Sequence, residues 1–228
     1  MSKFYVVATP IGNMGDITFR AIETLKEVDL ILCEDTRMTK RLLDKYSINK
    51  PTMSYHAQSK LSKTDKIFEL LLEGKNLALV SDAGTPGISD PGAMLVSKIK
   101  FDLSDSVDVI PIPGATALIT ALSASGLPTH EFTFLGFLPH KKGRETLFKE
   151  IANPPAGGKR TYVFYESPHR ILKTLESLNK FCPNKKVCIA RELTKIYEEF
   201  KTGTAIELFE YLTKNPVKQK GEFTVLVA

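Results

Sequence analysis

The sequence predicts an α/β protein of two domains, the first built on a mainly parallel sheet and the second on a mixed one. Three observations predict it. Short apolar, β-branched runs alternate with helical apolar stripes through the first half. The segment Pro111-Ile112-Pro113-Gly114 then punctuates the chain, and the second half is richer in strand-like runs that suit antiparallel pairing.

Phe4 to Ala8 reads as a buried strand ended by the loop Thr9-Pro10-Ile11-Gly12-Asn13. A helix capped by Asp16 is expected next, because Ile17, Ala21, Leu25 and Val28 recur at three- and four-residue spacing and make one apolar stripe. The pattern repeats with a strand from Leu30 to Cys33 and a helix capped by Thr36 that carries Leu42 and Leu43. Ser62 and Asp65 resemble a capping box before Ile67, Phe68, Leu71 and Leu72. A strand from Leu77 to Val80, a helix holding Leu95 and Ile99, and a strand from Val107 to Ile110 complete a first domain of residues 1–112.

The second domain, 113–228, opens on a small-residue helix from Ala115 to Ala124. Strands are expected at Phe132 to Leu135, Thr161 to Tyr165, Val187 to Ala190, Tyr197 to Lys201 and Glu222 to Val227. Helices are expected at Arg144 to Ile151 and near 169–180 and 204–212, with Pro154-Pro155-Ala156-Gly157-Gly158 as a breaker.

Composition bounds the function. Of 228 residues 43% are hydrophobic and 25% charged, which fits an ordinary globular chain and excludes disorder. No run of about 18 apolar residues exists, so neither secretion nor membrane anchoring is expected. Cys33, Cys182 and Cys188 lack CxxC spacing and the four histidines are scattered; neither disulfides nor a metal are expected, and a reducing cytoplasm fits. The net charge of +5, from 31 basic and 26 acidic residues, is compatible with an anionic partner without requiring one. The basic residues cluster at His140-Lys141-Lys142-Gly143-Arg144, Lys159-Arg160, Lys185-Lys186 and Lys218-Gln219-Lys220, each of which alone reads as a solvated loop.

Neither GxGxxG after the first strand nor GxxxxGK[ST] occurs, which argues against dinucleotides and nucleoside triphosphates. In their place stands Ser81-Asp82-Ala83-Gly84-Thr85-Pro86-Gly87-Ile88-Ser89-Asp90-Pro91-Gly92, with three glycines and two prolines in twelve positions. Glycines permit positive φ and close approach to a ligand, and prolines stiffen the chain between them, so the loop is preorganised. The carboxyl ends of parallel strands form a ligand crevice, and this loop, Thr9 to Asn13 and Glu34-Asp35-Thr36-Arg37 all leave strands there. Tight connecting turns, a helix cap at Asp35 or Thr36 and a Glu34–Arg37 pair are the plainer readings. Later, Phe164-Tyr165-Glu166-Ser167-Pro168-His169-Arg170 puts a carboxylate, an imidazole and a guanidinium at a strand-to-helix junction, where Pro168 suits the first helical turn. A Ser167 cap and a surface Arg170 are the alternative there, and an Arg191–Glu192 surface pair is the alternative for Ala190-Arg191-Glu192-Leu193-Thr194.

Together VATPIGNMGDIT, EDTR, SDAGTPGISDPG, PIPGATALITALSASGLP, FLGFLPHKKGR, FYESPHR and ARELTK resemble, in order and over essentially the whole chain, the signature blocks of the ribosomal RNA small-subunit methyltransferase I family. SDAGTPGISDPG is the most specific of them. The resemblance implies a tetrapyrrole-methylase-like fold of two α/β domains with a cleft between them for the cofactor S-adenosyl-L-methionine, and a homodimer. It implies donor contacts from Pro10, from the backbone of Asp82, Ala83, Gly84, Gly87 and Ile88, and from Thr116 and Ala117. From the second domain it implies Phe164, Tyr165, Ala190, Arg191 and a residue near Phe223. The implied reaction is methylation of the 2′-hydroxyl of a decoding-region cytidine in 16S ribosomal RNA, free or in the small ribosomal subunit, without a metal.

That reaction needs alignment, a dry site and a proton acceptor, for which Asp35, Asp82, Glu166 and His169 are the titratable candidates. Arg37, Lys141, Lys142, Arg144 and Arg170 are candidates to hold RNA phosphates. Members of the family continue for some tens of residues past the segment matching Glu222 to Ala228, in a small helical region associated with RNA binding; this chain does not, which weighs on the RNA site rather than the donor site. Two other readings stand beside this one. A methylase acting on a tetrapyrrole would share the donor site, but such enzymes resemble GxGxGxxxLLT where this chain has ATPIGNMGDIT. A non-catalytic RNA-binding module would bind no donor.

Overall fold

The computed structural model describes residues 1–56, 61–90, 92–154 and 160–228. Pro91 of the glycine-rich loop, Pro155 to Gly158 of the breaker and Lys159 lie outside the described residues. Two compact units divide between Thr116 and Ala117. The sequence reading placed the boundary after Ile112, but residues 112–115 stay tied to the first unit: Ala8 N donates to Ile112 O at 3.2 Å and Thr85 Oγ1 to Ala115 O at 3.2 Å.

The first unit carries β1 (Ser2–Val7), α1 (Phe19–Glu27), β2 (Leu30–Cys33), α2 (Thr36–Lys45), β3 (Thr52–Ser54), α3 (Leu61–Leu72), β4 (Leu77–Leu79), α4 (Gly92–Asp102) and β5 (Val107–Ile112). Its strands lie in the order β3-β2-β4-β1-β5, every adjacent pair parallel. Alternate strand residues feed two cores. Val7, Ile31, Cys33, Ala78 and Val80 pack with α1 and α2 through Ala21, Leu25 and Leu43. Phe4, Leu32, Leu77 and Leu79 pack on the other face with α3 and α4 through Ile67, Leu71, Leu95 and Ile99. Period-two strands between two helix layers are thus read directly from the apolar residues.

That layering positions a site. The loops after β1 and β2 run to the α1/α2 face, while the loop after β4, which lies between those strands, runs to the α4 face. Neighbouring strands whose connections leave to opposite faces open a crevice at their carboxyl ends.

Several local expectations are corrected. Thr18, not Asp16, caps α1 by accepting from Ala21 N at 3.1 Å, because Asp16 is held in a 3-10 turn, Met14–Asp16, capped by Asn13. Asp35, not Thr36, caps α2, accepting from Arg37 N at 2.8 Å. Ser62 lies inside α3 and so forms no capping box there. The short strand β3 went unread, having only three half-buried residues and little apolar signal.

The second unit carries α5 (Ala117–Ala124), β6 (Phe132–Phe137), α6 (Arg144–Ala152), β7 (Thr161–Glu166), α7 (Ile171–Phe181), β8 (Val187–Arg191), β9 (Glu199–Gly203), α8 (Ala205–Lys214) and β10 (Phe223–Val227). The sheet order is β6-β7-β10-β8-β9, with β6 and β7 parallel and the other pairs antiparallel. Helices α6, α7 and α8 cover one face through Phe148, Ile151, Leu175, Leu178, Leu208 and Leu212, packed on Tyr162, Phe164, Val187, Ile189, Val225 and Val227. Helix α7 begins at Ile171 without a side-chain cap, and a turn holding Pro168 precedes it; both the Ser167 cap and Pro168 in the first helical turn are corrected. No helix among the described residues is long and apolar enough to cross a membrane.

Candidate functional site

In the first unit the carboxyl-edge loops are knitted into one surface. Thr9 and Gly84 form an isolated antiparallel bridge, with N–H donors meeting carbonyls at 2.9 and 3.1 Å. Thr9 Oγ1 donates to Ser81 O at 3.1 Å and Ser81 Oγ to Gly84 O at 3.1 Å. Asp90 accepts from Gly87 N and Gly92 N, both at 2.7 Å, closing the second half of the loop. Gly84 and Gly87 hold φ at +83° and +85°, the region that glycine enters without cost. A Cβ on Gly84 would stand 3.3 Å from Ile11 Cγ2, tight enough that the Ile11 side chain would have to give way.

Asp82, Ala83 and Ile88 are exposed on this surface, while Pro10 and Gly84 are buried beneath it; Gly87, Thr116 and Ala117 are half-buried. Asp82 Oδ1 accepts from Asp35 N at 3.1 Å, joining the loop after β4 to the loop after β2. The edge is acidic. Burial first, and then the neighbouring charges of Asp90 and Asp82, push the Glu34 carboxyl above its ordinary range. Arg37 pairs with Asp35, not with Glu34: Nη2 lies 2.7 Å from Oδ2 and Nε donates to Oδ1 at 3.1 Å. Those hydrogen bonds hold Asp35 at about 2. Asp35 is therefore a poor proton acceptor, a correction to its candidacy as base, and Glu34 is a further carboxylate at this edge whose raised pKa no residue pattern announces.

In the second unit register sorts the candidates. Tyr165 stands opposite Thr224 and Thr224 opposite Ala190, so these three form one row across β7, β10 and β8. Phe137 of β6 and Phe200 of β9 extend that row. Tyr165 packs edge-on against Phe134 and Phe137, with centroids 5.0 and 5.5 Å apart. The next row, Glu166, Phe223 and Arg191, belongs to the opposite, helix-covered face. Phe164 and Phe223 put their side chains into that core, which leaves their backbone for any contact with a donor. The residue near Phe223 that shares a face with Tyr165 and Ala190 is Thr224. Arg191 turns inward too: it lies 3.5 Å from Glu199 and donates to Tyr197 O and Lys220 O, while Glu192 pairs with Lys195 at 3.0 Å, so the Arg191–Glu192 surface pair does not form.

Glu166 has no exposed side-chain surface. It meets Arg170 Nε at 2.8 Å and Arg144 Nη2 at 3.5 Å, and accepts from Thr174 Oγ1 at 2.7 Å and Ser167 N at 2.8 Å. Both oxygens are thus engaged by neighbouring donors and the side chain is closed off from any acceptor, which corrects its candidacy as base. Arg144 is buried, donating to Pro139 O and Thr174 Oγ1, so it is corrected as a phosphate contact; Arg170 is largely occupied, donating to Leu138 O at 2.9 Å. His140, Lys141, Lys142 and His169 are exposed, whereas Lys218 is engaged with Glu199 and Tyr211. Among the described residues no group of three or more His, Cys, Asp or Glu is placed to hold a metal, and the three cysteines are free and buried.

Comparison with known proteins identifies the family. The family described as Tetrapyrrole (Corrin/Porphyrin) Methylases matches residues 3–208. Proteins named ribosomal RNA small subunit methyltransferase I are similar over nearly the whole chain. That of Halalkalibacterium halodurans is 49% identical over 98% of this chain and 74% of its own length. That of Thermotoga maritima is 44% identical over 100% of this chain and 99% of its own, so relatives with this name occur both with and without an extension. Among solved structures, the methyltransferase CobJ aligns with TM-score 0.71 at 20% identity, covering 100% of this chain and 94% of that one. Uroporphyrin-III C-methyl transferase from Thermus thermophilus, complexed with S-adenyl homocysteine, aligns at 0.64 and 17% over 100% and 97%. Diphthine synthase aligns at 0.68 and 16% over 100% and 90%, so proteins of different names share this fold. The chain belongs to the tetrapyrrole (corrin/porphyrin) methylase family, within the ribosomal RNA small subunit methyltransferase I branch.

Proposed function

We propose that this chain transfers the methyl group of S-adenosyl-L-methionine to the 2′-hydroxyl of a decoding-region cytidine in small-subunit ribosomal RNA. The observation that carries the reading is 44–49% identity, over 98–100% of the chain, to proteins named for small-subunit ribosomal RNA methylation.

The first unit's loops fit the donor. It is a cation, with a sulfonium and an ammonium group, and the edge it would meet carries Glu34, Asp35, Asp82 and Asp90, with Arg37 paired to Asp35. Asp82 and Ala83 are exposed beside glycines that permit close approach, and Ile88 adds an apolar contact. When bound, the donor supplies an electrophilic methyl on sulfur. The chain's own work is to orient, dehydrate and deprotonate. Asp82 and Glu34 are the carboxylates suited to taking the hydroxyl proton, since Asp35 and Glu166 are otherwise committed. Lys141 and Lys142, exposed on the loop before α6, suit the phosphates on either side of a target ribose. A homodimer in the cytoplasm completes the reading.

The test is transfer of labelled methyl from donor to small-subunit particles from cells lacking the modification, with a tetrapyrrole as the competing acceptor. Label in RNA is the expected result. Donor binding with label only in the tetrapyrrole refutes the acceptor assignment, and no donor binding refutes the enzyme.

A further inference from the structure

We propose that Glu166 is a positioning residue that fixes the basic loop Pro139 to Gly143 for RNA binding, using Arg144 and Arg170 as its two arms. The inference rests on the RNA reading above and adds a device to it.

Burying one carboxylate with two guanidiniums is costly. Desolvation of such a group commonly outweighs the attraction it gains, and apolar replacements are often as stable. The arrangement therefore calls for a use beyond stability. Its geometry supplies one, because each guanidinium has a second set of partners on the same loop. Arg170 Nη1 donates to Leu138 O at 2.9 Å, and Arg144 Nη1 donates to Pro139 O at 3.1 Å. Arg144 Nη2 also donates to Thr174 Oγ1 at 2.6 Å, and that hydroxyl donates onward to Glu166 Oε2 at 2.7 Å. The chain from Leu138 to Arg144 is thereby held at both ends of its polar stretch, and Gly143 closes it in the left-handed region at φ +84°.

What the loop displays is charge. His140, Lys141 and Lys142 are all exposed, with nothing apolar among them to pack the segment down. Arg144 N donates to Lys141 O at 3.3 Å and shapes the turn, but with no apolar side chain among the displayed residues the loop's placement depends chiefly on the two backbone carbonyls that the arginines capture. Glu166 engages both guanidiniums, Arg170 through Nε and Arg144 through Nη2, and so shares with the two carbonyls in fixing their direction; loss of its charge loosens both forks. The lysines then lose the fixed spacing that two neighbouring phosphates require.

Glu166→Gln keeps the side-chain shape and removes the charge, and Thr174→Val removes the bridging hydroxyl with little change in volume. Two readouts on the full chain decide the matter. In amide hydrogen exchange, residues 140–144 are expected to exchange faster in both variants, above all Arg144, whose N–H donates to Lys141 O, while β7 and β10 keep their protection. In steady-state methyl transfer, KM for small-subunit RNA is expected to rise on the order of tenfold, as for two weakened surface contacts, with kcat at saturating RNA retained. The salt dependence of RNA binding should flatten by roughly 1.4 in log–log slope, the share of two single-strand phosphate contacts. Lys141→Ala with Lys142→Ala should then add little in the Glu166→Gln background.

A collapse of kcat with KM unchanged would make Glu166 a proton acceptor and overturn the inference. So would unaltered exchange at 140–144, or full additivity of the lysine and Glu166 effects. If the wild-type chain binds no RNA, the acceptor reading fails and the loop's role falls with it; normal wild-type binding with unaltered variants removes the positioning role alone.

Discussion

Gly84→Ala tests whether the glycine-rich loop is shaped for a ligand or merely turns the chain. Gly84 sits at φ +83°, where a Cβ costs about 1–2 kcal/mol, and that Cβ would meet Ile11 Cγ2 at 3.3 Å. The residue also makes both hydrogen bonds of the Thr9 bridge, so relief of the strain must shift the two loops that define the acidic edge. Thermal unfolding should fall by about 2–8 °C. Donor binding must restore the strained form, so its affinity should weaken roughly five- to thirtyfold by isothermal titration calorimetry. Gly74→Ala is the control. Gly74 has φ +85° at the end of α3, with nothing within 4 Å of a built Cβ. It should lose comparable stability and keep wild-type donor affinity. Equal donor affinity in the two variants would refute the claim that the loop's conformation serves binding.

Other outcomes follow from the same geometry. Asp35 has a folded pKa of about 2, below its ordinary value, so its contribution to stability is present above the ordinary carboxylate range and lost as pH falls through 2. Arg37→Ala should move that loss to higher pH, observed by carboxyl NMR titration; an unmoved titration would mean that Arg37 is not its cause. Glu34 is shifted the other way, so the stability it contributes is present below the ordinary value and lost as pH rises through its raised folded pKa. Glu34→Gln should therefore be more stable than wild type at neutral pH but not at acid pH in denaturant titrations, with a lowered kcat; a pH-independent difference would contradict the burial argument. Thr204→Ala removes the capping box with Glu207 at the start of α8 and should cost about 1 kcal/mol in urea unfolding without altering donor affinity.

The sequence made the layers legible because burial writes itself into period and composition. Leu30 to Cys33 and Leu77 to Leu79 are continuous apolar runs of strands covered on both faces, and Ala21, Leu25 and Val28 repeat as a helix stripe. The carboxyl-edge loops were legible for another reason: glycine and proline density is wasteful unless the shape is used. What sequence could not reveal is direction. Phe223 and Thr224 are neighbours, yet one enters the helix core and the other joins Tyr165 and Ala190, a choice fixed by register with β7 and β8 rather than by residue type. Arg144 and Arg170 looked like surface cations because nothing local announces that Glu166, 22 residues from Arg144, will be buried between them. Arg37 was close enough to pair with either of two carboxylates, and helix capping by Asp35 decided it.

The most direct test of the account is mass spectrometry of nucleosides from small-subunit RNA incubated with the purified chain and isotopically labelled donor. The account predicts a labelled 2′-O-methylcytidine mapping to the decoding region, present with the wild-type chain and diminished with Asp82→Ala. Label on a base, or at a ribose outside that region, would contradict it.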